Sequence, residues 1–169
     1  MTHRMRKPIY VFDTVSLANF LLADAEKVLV VRYSGRAFIT GQVFDELTSG
    51  MRMRPRLKNI EVLLDRKHFG LVAITTPERV QYAGLITNLG RGEASCIATA
   101  GSRGWTVVTD DRAARSHCVE TGTRVTGTVG ILKATCLEKQ VQPSEADRIL
   151  QEMIDNGFYS PVGRVSNLL

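Results

Sequence analysis

Short apolar runs rich in β-branched and aromatic residues alternate with helical runs along the whole chain, and this alternation constrains the fold most. The strand-like runs lie at residues 9–12, 36–39, 69–74, 105–108 and 124–126. Segment 26–33 could be a helix or a strand, and we favour a helix. Strands that alternate with helices are joined by crossovers and lie parallel to one another. The pattern therefore predicts an α/β fold with a parallel sheet and helices on both faces.

Length and composition indicate one globular domain. A chain of 169 residues can bury a core, and 44% hydrophobic and 23% charged residues are ordinary for a soluble protein. We divide the chain into a basic N-terminal tail at 1–7, a folded domain at 8–160 and a C-terminal tail at 161–169. No window approaches the roughly 20 apolar residues of a membrane span, and the basic start lacks a signal-peptide cleavage site. We expect a cytoplasmic protein that does not enter a membrane.

The three cysteines predict neither a disulfide nor a zinc site. The chain has an odd number of cysteines, Cys96, Cys118 and Cys136. They form no C-x-x-C pair and lie in helical-looking runs. The three histidines have no metal-ligand spacing either. We expect the cysteines to be small buried residues in a reducing compartment.

Several acids follow strand-like runs or open helices, and the predicted topology places them at one edge of the sheet. They are Asp13 after the first strand, Glu46 one turn into the helix after the second, Glu93 at a helix start, and Asp110 and Asp111 after the fourth strand. The carboxyl ends of parallel strands form the usual ligand-binding edge of an open α/β sheet. Simpler interpretations stay open. Asp13 could have no role beyond that of N-cap of the first helix, a position for which Thr14 and Ser16 are also suitable. Glu46 could be an ordinary solvated residue of a helix.

The chemistry of such a group of acids indicates a metal centre. Carboxylates that lie close together repel one another, so some must be protonated or a cation must neutralise them. Carboxylate and water oxygens suit a hard divalent ion, Mg²⁺ or Mn²⁺, better than zinc. Such an ion can activate water and stabilise the charge that develops on a phosphodiester during hydrolysis. The acids therefore suggest a nuclease.

A basic segment is compatible with a polyanionic partner. The net charge of +5 is a modest excess. Pro55 breaks any helix through the segment after Gly50, so its cations lie on an exposed connection that leads into a helix at about 56–66. These cations are Arg52, Arg54, Arg56 and Lys58, and a second group at the N-terminus is Arg4, Arg6 and Lys7. The segment is either a solvated basic loop or an arm that grips phosphates beside the acids.

Five motifs follow one another along the chain and together cover most of residues 8–160. They are IYVFDT at 9–14, VRYSGRAFITGQVFDEL at 31–47, LGRGEASCIATA at 89–100, TVVTDDRAARSHCVETGTRVTGTVGIL at 106–132 and GFYSP at 157–161. In this ordered set the chain resembles the PIN-domain ribonucleases, and within them the PIN-like branch that often carries L-G-x-G-E-A. The resemblance implies a single PIN-like domain with four or five parallel strands, dependence on Mg²⁺ or Mn²⁺, and cleavage of single-stranded or structured RNA.

The resemblance also implies protein partners. Many small PIN-like proteins are toxins of VapBC-type toxin–antitoxin pairs, which are dimeric and held inactive by an antitoxin peptide. We therefore expect a homodimer and a possible antitoxin partner. The helices near Phe20 and Tyr82 are candidates for the dimer contact.

Carried over residue by residue, the resemblance assigns the acids that bind metal and catalyse cleavage, which are Asp13, Glu46, Glu93 and Asp111. The family motif T-x-D runs here from Thr109 to Asp111 and so favours Asp111 as the fourth acid, with Asp110 as a close rival. Thr109 would orient a carboxylate or a water molecule through its hydroxyl.

One position departs from the family pattern. The family usually has Ser or Asn two residues after the first acid, and this chain has Val15. Ser16 could substitute from the next position, although its side chain would point elsewhere. Arg112 and Arg115 either pair with neighbouring acids or reach a phosphate of the substrate.

Two other functions fit the same residues. A catalytically weak PIN-like module could bind nucleic acid or a protein, and Val15 supports this interpretation. A phosphatase-like or nucleotide-handling protein could use the same acidic edge, but the segment FDTVS after the first strand has no glycine for a phosphate-binding loop. Binding of a divalent ion separates the nuclease from the binding module.

Overall fold

The computed structural model describes residues 5–169, so Arg4 of the N-terminal basic group lies outside the described residues. The strands are β1 (Tyr10–Phe12), β2 (Ala37–Thr40), β3 (Phe69–Val72), β4 (Thr106–Val108) and β5 (Val125–Thr126). The α-helices are α1 (Thr14–Leu22), α2 (Glu26–Tyr33), α3 (Gly41–Gly50), α4 (Asn59–Asp65), α5 (Thr76–Leu85), α6 (Arg91–Arg103), α7 (Arg112–Thr121), α8 (Thr128–Leu137) and α9 (Pro143–Asp155). Short 3₁₀ helices lie at Pro55–Lys58 and Val165–Leu168. The predicted alternation is confirmed, including the helix at 26–33.

The five strands of the described chain form one parallel sheet in the order β3-β2-β1-β4-β5. At its centre Tyr10 pairs with Ala37 of β2 on one side and with Thr106 of β4 on the other. From β1 the chain moves outward through β2 and β3, and it then returns to β4 on the opposite side of β1. Such a reversal opens a crevice at the carboxyl ends of the two strands. Asp13 and Thr109 follow β1 and β4 directly at this crevice.

Helices cover both faces of the sheet, as predicted. Successive side chains of a strand point to opposite faces, and Val11, Phe12, Val107 and Val108 are all fully buried. Helix α6 lies against β1, β2 and β4, and its small side chains are buried throughout 94–100. Because α6 leads into the parallel strand β4, its N-terminus lies at the carboxyl edge of the sheet. Glu93 is therefore brought to the same edge as Asp13.

Two local predictions are corrected by the structure. Asp13 caps α1, rather than Thr14 or Ser16, because its side chain accepts the N–H of Ser16 at 2.8 Å. The helix expected at about 56–66 begins as the 3₁₀ turn Pro55–Lys58 and becomes α-helical only at Asn59. Pro55 lies in the first turn of this segment, where its missing N–H leaves no helical hydrogen bond unmade.

The C-terminal segment 161–169 packs on the domain. Val165 is fully buried, and the 3₁₀ helix around it contacts α8 and α9. The carboxylate of Asp147 accepts hydrogen bonds from the N–H and the hydroxyl of Ser166, at 2.9 and 2.7 Å. The expected tail thus contributes to the core.

The cysteines and the membrane prediction have simple outcomes. Cys96, Cys118 and Cys136 are free and buried, as expected. Among residues 5–169, the longest apolar stretches of helix fall short of what a membrane crossing requires. Phe20 is fully buried in the core, whereas Tyr82 of α5 is half-buried. The helices near these two residues stay a prediction for the dimer contact.

Candidate active site

A cavity of about 640 Å³ opens at the carboxyl edge of the sheet, beside the ends of β1 and β4. Four of the predicted acids line it: Asp13, Glu93, Asp110 and Asp111. They come from three separate parts of the chain, and the parallel topology brings them together as the sequence predicted. The fifth acid, Glu46, does not line the cavity. It accepts hydrogen bonds from Thr14 and Gly92, which lie next to cavity residues.

Asp13 is the most deeply buried of these acids, with 1% of its surface exposed. Its Oδ1 atom caps α1, and its Oδ2 atom is buried without a hydrogen-bond partner among the described residues. Burial removes the carboxylate from water and raises the pKa of Asp13 from 3.8 to about 7, although Thr109 and Ser16 lower it again in part. Asp13 can therefore be both the N-cap of α1 and a residue of the site. Its Oδ1 atom caps the helix, and its Oδ2 atom can bind a further partner.

Glu46 links three helices at the rim of the cavity. Its Oε2 atom accepts the hydroxyl of Thr14 in α1 at 2.7 Å, and its Oε1 atom accepts the N–H of Gly92 in α6 at 2.7 Å. A Cβ atom at Gly92 would lie 2.9 Å from the Thr14 hydroxyl and 3.0 Å from Oε1 of Glu46. This close approach explains why glycine precedes Glu93 in the LGRGEA motif.

Glu93 is half-buried in the first turn of α6. Desolvation is the main cause that raises the pKa of Glu93, and the negative charges of Asp111 and Glu46 raise it further. The side chains therefore lie close enough to repel one another, which was the premise for expecting a cation at this edge.

The adjacent acids Asp110 and Asp111 have different surroundings. The carboxylate of Asp110 accepts hydrogen bonds from the N–H and hydroxyl of Thr128 at 2.9 and 2.5 Å, from the hydroxyl of Ser16 at 3.1 Å and from the amide of Asn19 at 3.4 Å. Asp111 is exposed, and one of its oxygens caps α7 by accepting the N–H of Ala114 at 2.7 Å. Asp110 thus holds α1 and α8 together, whereas Asp111 stays accessible from the cavity.

Two hydroxyl groups connect these acids. Thr109 is fully buried, and its hydroxyl accepts the N–H of Asp111 at 3.1 Å while it also lowers the pKa of Asp13. Ser16 was expected to point away from the acids, but its hydroxyl donates to Asp110. Val15 is 57% exposed and lines the cavity. The family that the sequence resembles usually has Ser or Asn at this position.

The donor chemistry of the site fits a hard divalent cation. The cavity presents carboxylate oxygens, and the buried Oδ2 of Asp13 needs a partner that the described residues do not supply. However, within residues 5–169 no three or more Asp, Glu, His or Cys side chains are close enough together to hold a metal ion as they stand. The acids that face the cavity would have to converge further to bind one.

Comparison with known proteins identifies the fold and the family. A family model described as a PIN domain matches residues 9–169. The chain belongs to the PIN domain family. Members of this family are nucleases, so the acidic cavity lies in a nuclease-type domain. No curated protein matches the chain at a significant level.

Two solved structures are similar to the chain at low sequence identity. VapBC2 from Rickettsia felis, bound to a DNA fragment from its promoter, is 14% identical, with 70% of this chain and 98% of that chain covered and a TM-score of 0.50. A toxin–antitoxin complex from Klebsiella pneumoniae is 18% identical, with 60% of this chain and 86% of that chain covered and a TM-score of 0.48. The likeness to VapBC2 concerns the fold alone.

The structure of the PIN domain brings only part of the basic segment to the acids. Arg54 lines the acidic cavity. Arg52 and Lys58 are exposed and do not line it, and Arg56 donates to the backbone carbonyl of Leu22 at 3.1 Å. Of the predicted arm, Arg54 is therefore the cation best placed to reach a phosphate at the site.

The two arginines that follow the acids differ from each other. Arg112 is exposed, whereas Arg115 is half-buried and donates to the backbone carbonyl of Thr109 at 2.9 Å. Within residues 5–169, no ion pair joins either of them to an acid. The expectation that they pair with neighbouring acids is wrong for the described structure, and their contact with phosphate stays a prediction.

Three residues at the cavity were missed by sequence reasoning. Asn19 donates to Asp110, and Phe158 and Tyr159 form part of the cavity wall. Asn19 lies one and a half turns into α1, and the sequence pattern there does not predict which residue its side chain contacts. For the aromatic pair the only signal was the GFYSP motif, whose position next to the acids depends on the path of the chain after α9.

Proposed function

We propose that this PIN domain is an endoribonuclease that depends on Mg²⁺ or Mn²⁺. The observation that carries the proposal is the buried Oδ2 atom of Asp13, which has no hydrogen-bond partner in the described chain. Asp13 lines the same cavity as Glu93 and Asp111. Leaving a buried carboxylate oxygen unpaired is unfavourable. A cation at this position would satisfy it.

The proposed roles follow from the surroundings of each side chain. Asp13, Glu93 and Asp111 would hold the ion, because each of them lines the cavity. Glu46 would add negative charge and fix the start of α6 through Gly92. Asp110, which accepts four hydrogen bonds, would position α1 and α8. The bound ion would supply an activated water and charge stabilisation for phosphodiester hydrolysis.

The substrate assignment depends on charge. The net charge of +5 attracts a polyanion, and Arg54 lies on the cavity wall, where it could contact a phosphate next to the cleaved bond. Arg52, Arg56, Lys58 and Arg112 would extend this contact along the strand.

A calorimetric titration with Mn²⁺, followed by cleavage of a labelled single-stranded RNA, tests the proposal. Asp13→Asn and Glu93→Gln should each lose metal binding and cleavage while the far-ultraviolet circular dichroism stays that of the wild type. Glu120→Gln is a matched control, since Glu120 is an exposed acid of α7 that does not line the cavity. It should bind and cleave as the wild type does.

A second candidate function has one observation in its favour. The acids of the described chain are not yet close enough to hold a metal, and Val15 replaces a polar residue, so the domain could bind nucleic acid without cleaving it efficiently. Wild-type protein that binds RNA but neither binds millimolar Mn²⁺ nor cleaves would support this binding module and contradict the ribonuclease.

We further propose that the protein is the toxin of a toxin–antitoxin pair and forms a homodimer. The support is the likeness in fold to VapBC2 from Rickettsia felis. Expression of the wild type in bacteria should arrest growth, and Glu93→Gln should abolish the arrest at equal protein level. Sedimentation of the purified protein at a monomer mass, or unimpaired growth during expression, would contradict the corresponding part of this proposal.

A further inference from the structure

Tyr159 stands at the boundary of two neighbouring cavities. It lines the acidic cavity of about 640 Å³ and also a second one of about 390 Å³, together with Phe158 and Asp110. The second cavity also contains Arg115 and the backbone of Gly127, at the start of α8. Each cavity thus has an arginine in its wall, Arg54 in the first and Arg115 in the second.

The ring of Tyr159 makes little packing contact with the rest of the domain. Tyr159 is 94% exposed, whereas its neighbour Phe158 is half-buried and packs against the core. An exposed aromatic residue alone is ordinary. This one, however, lies on the wall that the acidic cavity shares with the cavity of Arg115, beside Phe158 and Asp110.

The backbone around Tyr159 is fixed on both sides. Gly157, two residues after the end of α9, has φ of +104°, a conformation that favours glycine, and it lines the acidic cavity. The N–H of Phe158 donates to the carbonyl of Met153 at 2.9 Å. On the other side, the hydroxyl of Ser160 donates to the carbonyl of Val162 at 2.6 Å. A solvent-exposed ring on a fixed backbone loses little conformational freedom when a flat ligand binds.

We propose that Tyr159 is a stacking platform for one unpaired base of the RNA substrate, with the strand passing from the acidic cavity to the Arg115 cavity. This inference deepens the proposed ribonuclease function and rests on it. The acids between the two arginines would face the cleaved phosphate, and Arg54 and Arg115 would contact the phosphates on either side. Aromatic rings stack on any base, but the faces of bases in a duplex are covered by their neighbours. The arrangement therefore selects single-stranded RNA.

The experiment measures RNA binding in the cleavage-silent Glu93→Gln background. Fluorescence anisotropy with a short single-stranded RNA should show affinity reduced about 5- to 150-fold by Tyr159→Ala, the loss expected for one stacked base. Tyr159→Phe keeps the ring and should stay within about twofold of the parent. Leu137→Ala removes another exposed side chain, which lines neither cavity, and should leave the affinity unchanged.

Two further substrates separate stacking from a general effect on the fold. A duplex of the same sequence should bind equally to the Tyr159→Ala variant and its parent. An RNA that lacks the base at the contacted position should bind the parent as weakly as the variant, because the same interaction is then removed from the other side.

The outcomes for the platform and for the ribonuclease are distinguishable. Wild-type protein that cleaves RNA while Tyr159→Ala binds and cleaves single strands equally well would overturn the platform and leave the ribonuclease intact. An equal loss of duplex and single-strand binding would also overturn it. Wild-type protein that neither binds nor cleaves RNA would overturn both proposals.

Discussion

Replacing Asp13 with Asn tests whether its buried carboxylate destabilises the metal-free protein. The pKa of Asp13 is about 7 in the fold and 3.8 for an exposed carboxyl, with burial as the main cause. Between these values the folded protein holds a proton that the unfolded chain releases. The free energy of unfolding therefore falls as the pH rises and reaches its lower level above pH 7. The whole effect is about 4 kcal/mol, of which about 3 kcal/mol lies between pH 5 and pH 8.

The Asn variant does not follow this titration. Asn caps a helix as well as Asp does, so the hydrogen bond from Ser16 can persist. Its amide group would occupy the place of the unpartnered oxygen, and a buried donor without an acceptor costs about 1–3 kcal/mol. This cost is the same at both pH values. The difference in stability between variant and wild type should therefore shift by about 3 kcal/mol in favour of the variant from pH 5 to pH 8.

Urea unfolding at pH 5 and pH 8, with a chelator present, measures this shift. Asp65→Asn serves as control because Asp65 is exposed and does not line the cavity, and its difference from the wild type should stay constant. Millimolar Mn²⁺ at pH 8 should then stabilise the wild type and leave Asp13→Asn unchanged. Parallel curves for Asp13→Asn and the wild type at both pH values would refute the reasoning, since the carboxylate would then be ionised already at pH 5.

Three further predictions concern other parts of the molecule. Asp110→Ala should destabilise the fold by about 2–4 kcal/mol because several donors lose their acceptor; Asp111→Ala should cost only about 1 kcal/mol but abolish Mn²⁺ binding in calorimetry. Arg103→Ala removes the charge partner of the buried carboxylate of Glu78, which keeps only the hydrogen bonds from Thr75 and Ser102, and should cost about 3 kcal/mol in urea unfolding at pH 7. Because Arg103 holds the pKa of Glu78 at about 2 instead of 4.5, this stabilisation is present above pH 4.5 and fades as the pH falls toward 2, so the difference from the wild type should shrink in acid. Val15→Ser should change stability by less than about 0.5 kcal/mol and lower the Mn²⁺ concentration for half-maximal RNA cleavage by up to about tenfold; a higher metal requirement would contradict this.

The sequence predicts those features that depend on a strand and its immediate continuation. Asp13 and Asp111 lie within three residues of a strand end, and a parallel sheet places such residues at one edge whatever the helices do. Glu93 was predictable for a similar reason, since α6 leads into β4 and its N-terminus must lie at that edge.

Other features depend on contacts that no local pattern records. Ser16 faces Asp110 because α1 and α8 approach each other across the crevice, and sequence spacing does not reveal this approach. The different surroundings of Asp110 and Asp111 have the same origin, because Thr128 comes from a helix that starts 17 residues after Asp111. Tyr159 follows the final α-helix, and its position depends on how that helix packs.

The acids of the site are compatible with one another because helix N-termini stabilise most of them. Asp13 caps α1 and Asp111 caps α7, while Glu46 accepts an N–H from the first turn of α6 and Asp110 one from α8. The positive end of a helix dipole favours a negative charge at each of these places.

Two acids keep a raised pKa in spite of these helix ends: Asp13, through its second oxygen, and Glu93. Both line the cavity, so the unfavourable charge that remains is concentrated where a cation can enter. A cation would then compete with protons at Asp13 and Glu93, and its third proposed ligand, Asp111, is the N-cap of α7. Metal binding should therefore strengthen as the pH rises through about 7, and the helix starts at the cavity should shift when it occurs.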